Sequence, residues 1–234
     1  MKRLVVCDFD GTIRRKNDRN HTRRVLEKLR ALPPDVVFAV ASGRPLHLLR
    51  KYFDCFKDVY IISCDGALIT KNNEIIYENP ISPDVFEAIE KYDEWVAYGE
   101  CISYLHYKNR ARGREWMKMF KHHAVSVSEI NEINENIYKI FFPQKIKEID
   151  GLLKCYAGYE ISEFVNTDKG KALEFLKDKL NISTENVIAF GDSDNDIPMF
   201  KVSGKSYAFS GGTQEARNFA DRVFLDLREE LDRL

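Results

Sequence analysis

No apolar run in this chain approaches the ~20 residues that a membrane-spanning helix needs, so no spanning segment is expected. Met1-Lys2-Arg3 has the charge of a signal peptide's start, but the apolar stretch behind it ends at Asp8, too soon for a leader. The formal net charge is only −1, which leaves no global basic field to draw in nucleic acid or an anionic membrane surface. The five cysteines (Cys7, Cys55, Cys64, Cys101, Cys155) show no CxxC spacing and are odd in number. That excludes a disulfide framework as the expectation and points to reduced thiols and a cytoplasmic location. Cys7, beside acidic residues, reads as a small strand residue, because neighbouring carboxylates disfavour a thiolate. The five histidines lack metal-ligand spacing, and His122-His123 is expected to be exposed. There is no internal repeat and no low-complexity tract.

What remains is an ordinary globular composition, 44% hydrophobic and 31% charged over 234 residues. That length accommodates one large domain or a core with a smaller companion. The order of elements favours the second. Leu4 to Val6, Val36 to Ala41 and Val59 to Ile62 read as buried strands, separated by amphipathic helices over Thr22 to Leu32 and from Pro45 through Phe53. Such alternation predicts an α/β fold with a parallel, Rossmann-like sheet. A hairpin follows, Ala67 to Thr70 with Ile75 to Tyr77. From about residue 80 to 165 the pattern becomes α+β. Helices are expected over Ser82 to Glu94, Arg114 to Lys121 and Lys145 to Leu153, among strands near Trp95, Cys101, Tyr138, Lys154 and Glu160. Trp95 and Trp116 read as core residues. Parallel character resumes with a helix over Gly170 to Leu180 and a strand at Val187 to Phe190. Weaker strand signals follow near Ser206 and Arg222. The expected domains are therefore 1–80 with 166–234 as a core, and 81–165 as an inserted α+β cap.

Four polar clusters follow core strands or open core helices: Asp8 with Asp10, Ser42-Gly43, Lys169-Gly170, and Asp192 with Asn195 and Asp196. Ligands of open α/β sheets bind at the carboxyl ends of the strands. Two carboxylates as close as Asp8 and Asp10 ionise together only beside a cation, or else one takes up a proton. An acidic strand-to-turn boundary would account for that pair alone, since Asp and Gly favour turns. All four clusters together supply carboxylates, a hydroxyl, backbone N–H groups and an ammonium, an inventory suited to Mg²⁺ and a phosphate.

The motifs resemble those of the haloacid dehalogenase (HAD) superfamily, specifically its Cof-like, subclass IIB sugar-phosphatase branch. D-F-D-G-T stands at 8–12, A-S-G-R-P at 41–45, D-K-G-K-A-L at 168–173 and G-D-S-D-N-D at 191–196. The resemblance implies a HAD core with a C2-type cap and a Mg²⁺-dependent phosphatase acting on a small phosphorylated metabolite. Asp8 is then the nucleophile that forms an aspartyl-phosphate, and Asp10 the general acid and base. The metal is held by Asp8, the Asp10 backbone carbonyl and Asp192. Ser42, Gly43, Lys169 and Asn195 hold the phosphate, with Asp196 close behind the metal. Lys171 rivals Lys169, which fits the family's lysine-glycine pair. Arg44 is either a substrate contact or part of an ion pair, and Asp194 is a solvated turn residue.

Three departures stand out: Asp65-Gly66-Ala67 where relatives carry Asn-Gly-Ala, Ser210-Gly211-Gly212 for Gly-Asn-Ala, and no Asp-Gly-Val near the end. The aromatic and basic stretch Tyr104 to Arg114 reads either as a specificity surface or as a solvated cap face. Alternatives to a phosphatase are a phosphomutase of the phosphomannomutase type, a phospho-acceptor module of the receiver type and a non-catalytic sugar-phosphate sensor.

Overall fold

The computed structural model describes residues 2–16, 18–120, 123–157 and 160–234, and the expectation for His122 lies outside them. The chain begins β1 (Arg3–Asp8), α1 (Arg19–Arg30), β2 (Val36–Ala41), α2 (Leu46–Phe53) and β3 (Tyr60–Ser63), then the hairpin β4 (Leu68–Lys71) and β5 (Glu74–Glu78). It continues α3 (Phe86–Glu90), β6 (Glu94–Tyr98), β7 (Ser103–Tyr107), α4 (Arg110–Phe120), β8 (Ala124–Ser126), β9 (Lys139–Phe142), β10 (Leu153–Ala157) and β11 (Ser162–Val165). The last part is α5 (Lys169–Leu180), β12 (Val187–Gly191), α6 (Ile197–Lys201), β13 (Lys205–Phe209), α7 (Gln214–Phe219), β14 (Arg222–Phe224) and α8 (Leu227–Leu231).

The larger sheet has eight strands in the order β14-β13-β12-β1-β2-β3-β4-β5. β1 is central and pairs in parallel with both β2 and β12. Its residues are buried on both faces, as a continuous apolar run demands. Val5 and Cys7 pack with Val25, Leu26 and Leu29 of α1, Leu46, Leu49 and Phe53 of α2, and Leu227 of α8. Leu4 and Val6 face the other way, onto Leu173 and Leu176 of α5, Met199 and Phe200 of α6 and Ala216 of α7. This is an α/β sandwich with helices on both faces. The strands run outward from β1 in opposite directions, β2-β3 one way and β12-β13-β14 the other. A crevice opens where that order reverses, at the carboxyl ends of β1, β2 and β12.

The second sheet has six strands in the order β10-β11-β9-β6-β7-β8, antiparallel except for β7 against β8. One face, with Trp95, Ala97, Ile140, Phe142 and Phe164, closes its own core with Ile81 and Ile89. The other face carries Val96, Tyr98 and Phe141 into the cluster shared with the first sheet.

Two expected helices differ. Over Ser82 to Glu94 only a short 3₁₀ turn and α3 form before β6 begins. Residues 145–153 are not helical. Ile146, Ile149 and Leu152 do pack into the second core. Yet the Ile146 backbone is held by Ser162 Oγ and by Lys154 Nζ rather than by a helical ladder. A short three-residue apolar spacing does not separate a helix from an irregular segment pressed onto a sheet. β8, only three residues long, had no legible periodic signal.

Candidate active site

β1 delivers Asp8 to the crevice, 5% exposed. Gly11 then turns the chain at φ +99°, and a Cβ there would lie 2.1 Å from Asp192 Oδ2. Glycine is what lets the first loop approach the β12 loop. From the other side, Asp168 caps α5 by accepting from the Lys171 N–H at 2.9 Å. That cap fixes the first turn of α5, where Lys169 is completely buried. Its ammonium donates to Asp8 Oδ1 at 2.7 Å and to Asp196 Oδ1 at 2.6 Å. Lys171 is exposed, so of the two lysines only Lys169 meets the carboxylates.

The other oxygen of Asp196 accepts from the backbone N–H groups of Asp192 and Ser193, at 2.8 and 3.0 Å. Asp196 thus braces the β12 loop with both oxygens engaged. Asp192 accepts from Thr12 Oγ1 at 3.2 Å. Asp8 Oδ2 is buried and has no donor. Carboxylate oxygens of Asp8, Asp192 and Asp196 lie within 4.8 Å of one another. Burial, and then the neighbouring carboxylates against the pull of Lys169, push the Asp8 carboxyl up. Burial, with Asp196 next, pushes Asp192 up to about 6.

Three carboxylates around one ammonium leave two uncompensated negative charges in a buried volume. A divalent cation with oxygen ligands fits that deficit, and the orphaned Asp8 Oδ2 with Asp192 are the side chains free to hold it.

Asp10 is separate from this cluster. Arg44 grips its carboxylate with two nitrogens, one of them at 2.9 Å, and Arg14 adds a third bond at 2.8 Å. Arg44 also lies over the Phe9 ring. Ser42 is buried, its Oγ accepting from the Arg44 N–H at 3.2 Å. Asn195 donates to Asp65 Oδ1 at 2.7 Å and accepts from Ser193 Oγ at 2.6 Å. Asp194 is exposed and pairs with Thr213.

These groups border a cavity of about 740 Å³. Asp8, Asp10, Ser42, Gly43, Arg44, Asp192 and Asn195 all line it. The second sheet closes the other side with Tyr98 and Glu163, joined by His123 from the segment before β8. Sequence reading missed Tyr98 and Glu163, which carry no motif. Of the stretch Tyr104 to Arg114, no described residue lines this cavity. Tyr104 instead donates to Glu135, and Lys108 pairs with Asp93. His123 is exposed as expected, yet its ring stacks on buried His47 at 5.5 Å.

A strand-end carboxylate cluster of this kind, on a reversing α/β sheet covered by a second sheet, defines a hydrolase of the HAD type. Residues 5–230 match the haloacid dehalogenase-like hydrolase family, so the chain belongs to it, in the Cof-like branch its motifs resemble. It is 28% identical over 246 residues to a putative phosphatase of Haemophilus influenzae, covering 95% of this chain and 92% of that one. It is 27% identical over 227 residues to a phosphoglycolate phosphatase of Methanopyrus kandleri, covering 95% and 90%. Among solved structures, a Thermotoga maritima protein superposes with a TM-score of 0.80 at 26% identity, over 100% of this chain and 98% of that one. Among the described residues no helix is long and apolar enough to cross a membrane.

Proposed function

We propose that this protein is a Mg²⁺-dependent phosphatase that hydrolyses a small phosphomonoester, with sugar phosphates as the first class to test. The observation that carries this reading is the buried, donor-free Asp8 Oδ2 on the wall of the cavity, beside Lys169 and Asp192. Relatives named phosphatases support the phosphomonoester.

In this reading Asp8 attacks phosphorus through the carboxylate oxygen that does not hold the metal and forms an aspartyl-phosphate as the bond to the leaving oxygen breaks. Asp10 protonates that oxygen, then takes a proton from the water that attacks the same phosphorus and frees Asp8. Ser42, the Gly43 N–H, Lys169 and Asn195 hold phosphate oxygens and the charge they gain. Asp8, Asp192 and the Asp10 carbonyl would hold Mg²⁺, which when bound would offset the negative charge of the carboxylates and the phosphate. Asp196 keeps Lys169 and the β12 loop in place. Arg44, on the cavity wall, is the residue placed to exchange Asp10 for a substrate oxygen. Residues 81–165 act as a cap over 1–80 and 166–234, excluding water from the bound ester. Five free cysteines agree with a reducing, cytoplasmic setting.

The test is a panel of phosphosugars, other phosphorylated metabolites and p-nitrophenyl phosphate, assayed with wild type and Asp8→Asn. The variant is expected to melt as wild type does and to lose at least ~10³-fold in kcat. Hydrolysis at the wild-type rate by Asp8→Asn would refute the nucleophile. Conversion of a hexose 1-phosphate to its 6-phosphate, with no phosphate released, would replace the phosphatase with a mutase.

A further inference from the structure

Lys139 of β9 is a lysine from the second sheet that is 1% exposed, against the first sheet's phosphate-binding loop. It carries no role in the reading above. Its ammonium has three donors and three acceptors surround it. They are the Gly43 carbonyl at 3.0 Å, Asp65 Oδ2 at 2.7 Å and Glu163 Oε2 at 2.6 Å. Two of these belong to the core and one to the neighbouring strand β11. The register explains how β9 reaches out. Lys139 stands opposite Tyr98 on β6 and Val165 on β11, so alternation puts Tyr98, Lys139 and Glu163 on one face, toward the cavity.

Asp65 is the hub on the core side. Burial alone would raise its carboxyl, but Lys139, Lys169 and the Asn195 amide more than offset that and hold it at about 2. One oxygen accepts from Lys139 and the other from Asn195. Its own N–H donates to the Ser42 carbonyl at 3.0 Å, and the Cys64 N–H donates to the Arg44 carbonyl at 2.9 Å. Both residues sit in the left-handed region, Cys64 at φ 50° and Asp65 at φ 52°, which side chains other than glycine rarely adopt. Such a turn persists only where its surroundings over-determine it. Gly43 completes the arrangement, because a Cβ there would stand 3.0 Å from Asp65 Oδ2 and 3.1 Å from Lys139 Nζ.

The carbonyls of Ser42, Gly43 and Arg44 are thus all held from behind, two by the strained turn and the middle one by Lys139. We propose that Lys139 is a positioning residue. By gripping the Gly43 carbonyl and Asp65 it fixes the Ser42–Arg44 loop and Asn195 against the phosphate, and does so only when the second sheet sits on the core. Closure and assembly of the phosphate site are then one event. The same arrangement gives a reason for aspartate at 65 where relatives carry asparagine. A carboxylate accepts on both oxygens and compensates the buried ammonium, whereas an amide accepts on only one.

The inference rests on the phosphatase reading, and wild-type turnover of p-nitrophenyl phosphate with Mg²⁺, lost in Asp8→Asn, is the control for that reading. Lys139→Met, Asp65→Asn and the double variant are then compared for melting temperature, kcat, KM and the inhibition constant of inorganic phosphate. Lys139→Met strands the buried Asp65 carboxylate and unpairs the partly exposed Glu163, and is expected to lose stability. The double variant removes one of those charges, while Glu163 faces the cavity, so its melting temperature is expected to return toward wild type. Its kcat is expected to stay down by ~10²-fold, the loss that follows a 1 Å misplacement, with phosphate inhibition weakened by ~10-fold. Asp65→Asn alone keeps Lys139 on the Gly43 carbonyl but accepts on one oxygen where the carboxylate accepts on two, so its kcat is expected to fall less than that of the double variant. Activity that simply follows melting temperature across the three variants, both retained or both lost, would overturn the proposal and leave Lys139 as a structural ion pair.

Discussion

The two walls of the cavity are built on different principles. On the core wall, Asp8, Ser42 and Asp192 stand at strand ends; Asp8 and Asp192 are held from behind by Lys169, Thr12 and the Asp196 brace, and Ser42 by the Arg44 N–H. On the opposite wall, Glu163 projects from within β11, Tyr98 stands at the last position of β6 and His123 comes from a loop. The first wall is over-determined, because each polar group is fixed by another polar group. The second is a sheet face on which Glu163 is tied to Lys139 at 2.6 Å and the His123 ring stacks on His47. On the phosphatase reading proposed above, reaction chemistry would fall to the first wall and discrimination between esters to the second.

Removing the metal is the strongest way to test the first wall. Dialysis against EDTA should lower turnover by at least ~10³-fold, with Mg²⁺ restoring it. Full activity in rigorously metal-free protein would break the contrast between the walls. The two lysines at the start of α5 come next. Lys169→Met leaves Asp8 and Asp196 buried without their shared cation and should cost about 3–5 kcal/mol in denaturant unfolding, along with activity. Lys171→Met, on an exposed side chain, should stay within about 0.5 kcal/mol and keep kcat. Equal losses from both would mean that burial at this helix start does not mark the site.

Changes on the second wall should be smaller and selective. Tyr98→Phe and His123→Ala should alter kcat/KM for the preferred ester by ~10-fold while leaving p-nitrophenyl phosphate within ~3-fold. A uniform loss on every substrate would move these residues to the chemical wall.

The smallest effect concerns the seam between the walls. Burial, and then His123, lower the His47 pKa from its usual 6.5 to about 4. Arg50 and Lys51 of α2 push the same way, while Glu100 opposes them and Ser103 Oγ meets the ring at 3.3 Å. Because the folded value lies below the unfolded one, this stabilisation is complete above pH 6.5 and declines as pH falls toward 4. His47→Gln should therefore flatten the acid side of the stability profile by about 1–2 kcal/mol. An unchanged profile would mean that His47 binds its proton equally well in the folded and unfolded chain, so that its burial is not coupled to folding.

The difference between the walls is also the difference in what could be read from residues alone. Asp8, Ser42, Lys169 and Asp192 each sit where a periodic apolar segment ends or begins, so strand-end geometry brings them together once the sheet is recognised as parallel. Tyr98, Lys139 and Glu163 sit inside segments that read only as strands, and their spacing carries no chemical signature. Asp65 was visible as a departure, but its partner lies 74 positions away. The irregular path of residues 145–153 was illegible for a related reason. Its isoleucines suit a helix as well as a buried loop, and Ser162 and Lys154 decide between the two.

Local pattern by itself settled the α/β class, the direction of the first sheet and the clustering of acidic residues at one crevice, since burial on both faces and strand-end position are properties of short segments. Only the packed chain decided which side chains oppose that crevice, that Lys169 rather than Lys171 turns inward, and that Lys139 is buried between Asp65 and Glu163. Those outcomes depend on register and contact between distant segments, and a buried charge takes its partner from whatever the fold places beside it.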